Sequence, residues 1–329
     1  MTRYANAVVT TVTVILLLGL LFPLGISMPR AAGKTLRIAM VLWRGETEAE
    51  KGFREGLKDL GHSAEYLVMN AGQDRAELGR LLREDLKAKL ETSDYVYAYG
   101  TTVALATKTI VQDKVPIVFN IVADPVGAGL VKSMEASGGN IAGVTNEVPL
   151  TLQLQTALQV GPIRRLGILF NPREKNSMLI RDRLAEVGRP LNIEVVDLRS
   201  PPAQDMLQDN LRKLRDRTIA VDAVYLPPDS FVVSNAKLVG AELRAAKVRS
   251  IASLEAFVEQ GAFMGVVADY YTLGRAAATI VHRHQGGQQL SNMSLLADPN
   301  PVLKVNSTTA RALGITIPEP LRKRAVIVE

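Results

Sequence analysis

The stretch Val115–Asn146, VPIVFNIVADPVGAGLVKSMEASGGNIAGVTN, decides how this chain is built. It opens on an apolar run from Ile117 to Val122, interrupted only by Asn120, of the kind that suits a strand buried on both faces of a parallel sheet. The run stops at Ala123-Asp124-Pro125. Proline cannot continue a ladder, and Asp124 is left at the carboxyl end of the strand, where open α/β sheets receive ligands. A plain Asp-Pro turn capped by its own aspartate accounts for the same residues equally well. Gly127, Gly129, Gly138 and Gly139 follow, and a second apolar run closes at Thr145-Asn146. The pattern predicts two strands joined by a flexible, partly helical crossover.

Upstream, strand and helix signals alternate. Leu36–Leu42 reads as a central strand, and Thr47 with Glu50 forms a capping box ahead of Phe53, Leu57 and Leu60 at helical spacing. Ala64–Met69 and Tyr95–Tyr99 read as strands, with a helical pattern over Arg75–Leu90 between them. Strands separated by helices imply right-handed crossovers and a parallel sheet. The third strand ends at Gly100-Thr101-Thr102, where a glycine permits a sharp turn into a helix. Exposed amides at a helix start favour an anion such as a carboxylate, and an ordinary N-cap uses the same residues. Trp43-Arg44, just past the first strand, brings the sole tryptophan and a cation to the same sheet edge.

The second half repeats this plan. Helical segments over Leu152–Val160, Asn176–Val187, Leu207–Leu214 and Ser234–Ala246 alternate with strands at Leu166–Phe170, Ile193–Leu198, Ala223–Leu226, Ser250-Ile251 and Gly265–Ala268. Polar residues follow the strands at Asn171, Asp229 and Asp269, with Glu255 as a further carboxylate. Leu273, Ala276, Ala277, Ile280 and Val281 mark an amphipathic helix stopped by Gly286-Gly287. Two such sheets facing each other make a cleft. The expected organisation is a leader at 1–33, a first lobe at 34–150, a second at 151–290, and a segment at 291–329 that crosses a hinge and returns.

Composition narrows the function. The 329 residues are 47% hydrophobic and 22% charged, enough for two globular lobes. The net charge of +6 is scattered, with no Lys/Arg stripe interleaved with aromatics, which argues against a nucleic-acid partner. Without cysteine there is no disulfide, thiol nucleophile or thiolate metal site. Arg3 and the apolar stretch from about Ala7 to Met28, followed by Ala31-Ala32-Gly33, have the layout of a cleavable export signal. An uncleaved anchor is the alternative, since the run approaches the ~20 residues that span a bilayer. Either way the bulk of the chain is expected outside the cytoplasm. Gly33-Lys34-Thr35 fails as a phosphate loop because position 28 is Met, and His282 and His284 point to different helix faces. No metal, cofactor or catalytic constellation is expected, although Asp124, Asp229, Glu255 and Asp269 could also serve acid/base work.

The segments PIVFNIVADPVGAGLV, GGNIAGVTN, LGILFNPREKNS, YLPPDS and GAFMGVVADYYTLGRAAA, with the tail VNSTTARALGITIPEPLRKRAVIVE, resemble the ABC transporter substrate-binding proteins of the tryptophan/tyrosine-binding type. The resemblance runs in order from Lys34 to Glu329. It implies a type I periplasmic-binding fold, α/β, with two Rossmann-like lobes of parallel strands flanked by helices and a small-molecule ligand cleft between them. It further implies a monomer that hands an amino acid or similar compound to a membrane permease. Thr101, Thr102, Asp124 and Thr145 fall on its first-lobe loop positions, and Asn171, Asp229 and Asp269 on matching second-lobe strand ends; Asn146 and Glu255 are further candidates for the cleft. The resemblance is looser at Trp43-Arg44-Gly45-Glu46, which departs from the common form of that loop. The expected scheme has Arg44 and the Thr101-Thr102 helix start taking a carboxylate, the aspartates taking an ammonium group, and Trp43, Tyr270 or Tyr271 covering a side chain. A sensory protein using the same lobes and an exported enzyme are the competing readings.

Overall fold

The computed structural model describes residues 34–329, and the leader expected at 1–33, with its apolar stretch 7–28, lies outside the described residues. Among the described residues no helix is long and apolar enough to cross a membrane. Thr35–Glu329 forms one compact unit built on two sheets.

The first sheet comprises β1 (Leu36–Leu42), β2 (Ala64–Asn70), β3 (Tyr95–Tyr99), β4 (Ile117–Val122) and β5 (Ile141–Thr145). They lie in the order β2-β1-β3-β4-β5, all parallel. Every residue of β3, β4 and β5 is buried, which is why these strands read as near-continuous apolar runs. β2, at the edge, leaves Leu67 and Val68 exposed. The capping box forms as its sequence dictates: Thr47 accepts from the Ala49 amide while the Glu50 carboxylate accepts from the Thr47 amide at 2.7 Å. Glu50 is also buried against β3, where the Tyr97 hydroxyl donates to it at 2.6 Å and itself accepts from Asn120 Nδ2 at 3.1 Å.

The second sheet comprises β6 (Arg165–Phe170), β7 (Glu194–Arg199), β8 (Ala223–Leu226), β9 (Arg249–Ala252), β10 (Met264–Val267), β11 (Val302–Asn306) and β12 (Val326–Val328). Its order is β12-β11-β10-β9-β8-β6-β7. The sheet is parallel as expected except at β11, which runs antiparallel to β10. The short connection from the returning chain enters the sheet from the opposite end, and β12 then pairs parallel to β11.

Both sheets place their second strand outside their first, so each has a point where the strand order reverses, between β1 and β3 and between β6 and β8. Ligands of open α/β sheets collect outside the carboxyl ends of the strands at such points, since adjacent loops there diverge to opposite faces and leave a crevice.

The chain passes between the sheets three times, after β5, after β10 and before β11. After the second passage the Tyr270–Gln285 helix, inside the stretch 151–290 expected for the second lobe, packs on the Glu48–Asp59 helix of the first sheet. A Cβ at Gly274 would lie 2.0 Å from the Ala49 carbonyl oxygen, so the two backbones touch. The following segment borders β5, where the Thr145 amide donates to the Leu296 carbonyl at 2.8 Å and Leu296 N–H to Gly143 O at 3.1 Å. Asp298 ties two passages together by accepting from the Asp269 amide at 2.8 Å and from the Asn300 amide at 2.9 Å.

The crossover between β4 and β5 contains no helix, contrary to the sequence expectation. Asp124 Oδ1 accepts from the Gly127 amide at 2.7 Å, Pro125 follows, and the backbone bonds close successive turns. Gly129 and Gly138 adopt φ of +76° and +75°, which a continuing helix does not use.

Candidate functional site

A cavity lies where the two reversal points face one another. Its first-lobe wall contains Trp43 and Arg44 from the loop after β1 and Gly100, Thr101 and Thr102 after β3. Its second-lobe wall contains Glu174 and Asn176 after β6, and Pro228, Asp229 and Ser230 after β8. Asn146 and Tyr270, from two of the three interlobe passages, complete it, with Ile121 and Leu254 among its apolar surfaces. The centres of water-sized atoms can move over ≈ 50 Å³ inside.

The first wall is built for a negative charge. Gly100 has φ +82° and ψ 161°, a conformation that L side chains avoid, and it swings the chain from β3 straight into the Thr101–Val111 helix. No side chain caps that helix, so the amides of its first turn and the positive end of its dipole are presented to the cavity. Arg44 stands beside it, half-buried, donating from Nη2 to the Tyr99 hydroxyl at 3.0 Å. Among the described residues it has no carboxylate partner. Ile121, the strand residue that meets the cavity, has φ +58°, which is costly for a β-branched side chain. It coincides with a register shift in the β4–β5 pairing between Phe119 and Val122, and Asn120 Oδ1 accepts its amide at 2.9 Å in place of a ladder bond.

The second wall holds two buried carboxylates. Asp229, with no exposed surface, accepts from the Asn171 amide at 2.7 Å, the Ser177 hydroxyl at 2.7 Å and the Val232 amide at 3.0 Å. Glu174 is 5% exposed and accepts from the Ser230 amide at 3.1 Å and from Asn171 Nδ2 at 3.5 Å. Burial, with the neighbouring Asp229 charge, pushes the Glu174 carboxyl up from 4.5 to about 7, and burial raises Asp229 as well. Two buried polar atoms of cavity residues, Trp43 Nε1 and Asn146 Oδ1, have no protein partner. Burial also holds the Tyr99 and Tyr270 hydroxyls well above the usual tyrosine range.

The raised carboxyl has a stability consequence. The folded protein keeps the Glu174 proton to about pH 7 whereas the unfolded chain releases it near 4.5, so folding binds a proton between those values. Stability from this group is therefore full below the lower value and is lost as pH rises through the upper one. Urea unfolding of the ligand-free protein should show a loss on the order of 1–3 kcal/mol from this group across that window. Glu174→Gln should flatten that part of the profile; a profile identical to wild type would refute the assignment.

Of the residues singled out in the sequence, Trp43, Arg44, Thr101, Thr102, Asn146, Asp229 and Tyr270 line the cavity. The others are engaged elsewhere. Asp124 closes its own turn and lies 3.6 Å from Arg183 Nη1. The Thr145 hydroxyl donates to the Ala123 carbonyl at 3.3 Å and accepts from the Glu147 amide at 3.0 Å. Asn171 binds Asp229 through its amide and Glu174 through its side chain, so it organises the wall from behind. Glu255 pairs with Lys304 of β11. Asp269 caps the Tyr270–Gln285 helix through the Thr272 amide at 2.6 Å, and the Tyr271 hydroxyl turns outward to Glu55. His282 contacts His62 at 2.9 Å and His284 contacts the Tyr95 hydroxyl at 2.6 Å, and neither lines the cavity. The sequence reading passed over Glu174 and Asn176. The available signal was their place shortly after an apolar strand, at the start of the following helix, four and six residues past Phe170.

Polar contacts bridge the lobes around the cavity. Lys175 Nζ donates to the Ala128 carbonyl at 2.7 Å, Arg75 Nη2 to the Arg173 carbonyl at 2.7 Å, and the Ser234 hydroxyl to Gln73 Oε1 at 2.9 Å.

The model of a family described as ABC transporter substrate binding protein matches residues 38–329. The tyrosine-binding protein of Clostridioides difficile (strain R20291) is 27% identical over 273 residues, 82% of this chain and 77% of that protein. A conserved domain protein from Vibrio cholerae superposes with a TM-score of 0.82 at 25% identity, covering 90% of this chain and 100% of that one. The ABC domain in complex with L-Trp from Streptococcus pneumonia gives 0.80 at 23% identity, covering 90% and 100%. Structural neighbours further out include a leucine binding protein of Thermotoga maritima with a TM-score of 0.58 at 13% identity, covering 77% of this chain and 83% of that one, so the architecture is that of the type I periplasmic binding proteins.

Proposed function

We propose, since this chain belongs to the ABC transporter substrate binding protein family, that its two lobes capture a small α-amino acid, an aromatic one first, outside the cytoplasm and present it to a membrane permease. The observation that carries this reading is the polarity of the cavity. A helix start and an unpaired guanidinium stand on one lobe, and two buried carboxylates on the other. A zwitterion satisfies both walls at once: its carboxylate meets the Thr101-Thr102 amides and Arg44, and its ammonium meets the acidic wall. Trp43, Tyr99 and Tyr270 supply apolar surface for a side chain. The tyrosine-binding relative and the L-Trp complex are in keeping with an aromatic ligand.

The ≈ 50 Å³ interior accommodates a head group, so a ring enters by parting of the lobes about the three passages, and closing them again excludes water and strengthens each polar contact. A monomer suffices, because one chain supplies both walls. The carboxylates act as receptors for charge, and the protein transforms nothing. The test is a thermal-shift series with L-tyrosine, L-tryptophan, L-phenylalanine and aliphatic amino acids. A ligand at about one hundred times its dissociation constant adds roughly 2.7 kcal/mol and raises Tm visibly. No shift with any α-amino acid would overturn the reading.

A further inference from the structure

We propose that Glu174 is the group that receives the ligand's ammonium, and that it gives up a proton as the ligand enters, so that capture by this protein is coupled to pH. The inference rests on the amino-acid reading above and names the acceptor within it. Two carboxylates line the cavity, and their hydrogen bonds distinguish them. Asp229 spends its oxygens on three short bonds that cap the Ser230–Ser234 helix and fasten Asn171 and Ser177. An ionised carboxylate offers about four acceptor sites. Glu174 accepts from the Ser230 amide and, at the 3.5 Å limit, from Asn171 Nδ2, with the Ser230 hydroxyl as a third neighbouring donor, and it heads the Lys175–Gly188 helix without capping it. Glu174 therefore has acceptor capacity left to offer the cavity, and Asp229 has little.

The charges around Glu174 favour a neutral acid until a cation arrives. Asp229 faces it from the loop after β8 and repels its ionised form. Its chain neighbours Arg173 and Lys175 are exposed, whereas Glu174 is buried, and Lys175 Nζ reaches the Ala128 carbonyl. Arg183, on the same helix, is engaged by Glu147 and Asp124. Arg44, across the cavity, bonds Tyr99, and Tyr99 and Tyr270 stay neutral through burial. Among the described residues no cation forms an ion pair with Glu174.

The step is a proton release with no covalent change in the ligand. The carboxylic O–H of Glu174 breaks, its proton leaves to solvent, and the carboxylate accepts an N–H of the intact ammonium group. Ligand binding thus favours the ionised form, and affinity must fall on acidification below neutrality.

Calorimetric titration of L-tyrosine into the full-length protein tests this. Between about pH 8 and about pH 6 the wild-type dissociation constant should rise about tenfold. Titrations near pH 6 in two buffers of different ionisation enthalpy should report nearly one proton released per ligand. Glu174→Gln should bind weakly, without pH dependence and without proton release. A Glu174→Gln protein that keeps wild-type affinity and pH dependence would overturn the proposal. Should that variant not fold, 3-(4-hydroxyphenyl)propionate, which lacks the ammonium, serves instead on the wild type. It should show no loss of affinity on acidification, and a loss equal to that of L-tyrosine would also overturn the proposal. If wild type binds no α-amino acid at any pH, the amino-acid reading itself fails, which is distinguishable from normal binding that is indifferent to Glu174.

Discussion

Arg44→Ala should weaken L-tyrosine binding by roughly 10- to 100-fold, with the melting temperature of the ligand-free protein little changed. The guanidinium is half-buried, among the described residues hydrogen-bonds the Tyr99 hydroxyl alone, and lines the cavity beside the uncapped Thr101–Val111 helix. A charge-assisted hydrogen bond in such a place is worth about 1.5–3 kcal/mol, and tenfold in affinity corresponds to about 1.4 kcal/mol. Some binding should survive, because the helix amides remain. Arg44→Lys should recover part of the loss, since it restores charge without the planar fork. Asp124→Ala is the informative control: its carboxylate serves the Gly127 turn and Arg183, and it should leave affinity within about twofold, the range of surface substitutions. Calorimetry at one pH decides the matter. An Arg44→Ala protein with wild-type affinity would remove the carboxylate from this wall.

Gly274→Ala should lower Tm by several degrees, although glycine-to-alanine inside a helix ordinarily stabilises by about 1 kcal/mol. The reversed sign comes from contact between two backbones. A Cβ at Gly274 would lie 2.0 Å from the Ala49 carbonyl oxygen and 2.7 Å from the Phe53 amide nitrogen. The partner helix repeats the arrangement, for a Cβ at Gly52 would lie 2.1 Å from the Tyr271 carbonyl oxygen and one at Gly56 2.8 Å from Ala278 Cβ. None of these atoms is the end of a flexible side chain, so a helix must move, at a cost of about 3 kcal/mol or more. The displaced helix begins at Tyr270, a cavity residue, so ligand affinity should fall along with stability. Thermal unfolding followed by circular dichroism gives the answer, and a Tm at or above wild type would show that the two helices can separate freely.

Most elements up to the Tyr270–Gln285 helix were legible in the sequence, whereas β11 and β12 were not. Buried parallel strands announce themselves as short apolar runs, and the Thr47–Glu50 capping box and the stop at Gly286 are local chemistry. So was the gathering of polar residues at strand ends, which places Trp43, Arg44, Thr101 and Asp229 at one cavity. The turn-rich path from Asp124 to Asn140 was misread as partly helical, because glycine's left-handed conformations leave no periodic mark.

Tertiary structure alone decided which strand ends matter. Asp124 and Asp269 carry the same chemistry as Asp229 and likewise follow apolar strands, but their loops lie outside the cavity and their carboxylates are taken up by a turn and a helix cap. Competition between a carboxylate's own backbone amides and a distant ligand has no signature in sequence, since both outcomes need the same residue. Strand order is equally invisible, yet the reversal between β6 and β8 is what brings Glu174 beside Asp229 and turns both toward Arg44. The sequence determined what the elements are. Non-local pairing determined where they go, because the free energy of a parallel sheet lies in contacts between segments far apart in the chain, and a charge binds a ligand only where that packing leaves it buried and incompletely satisfied.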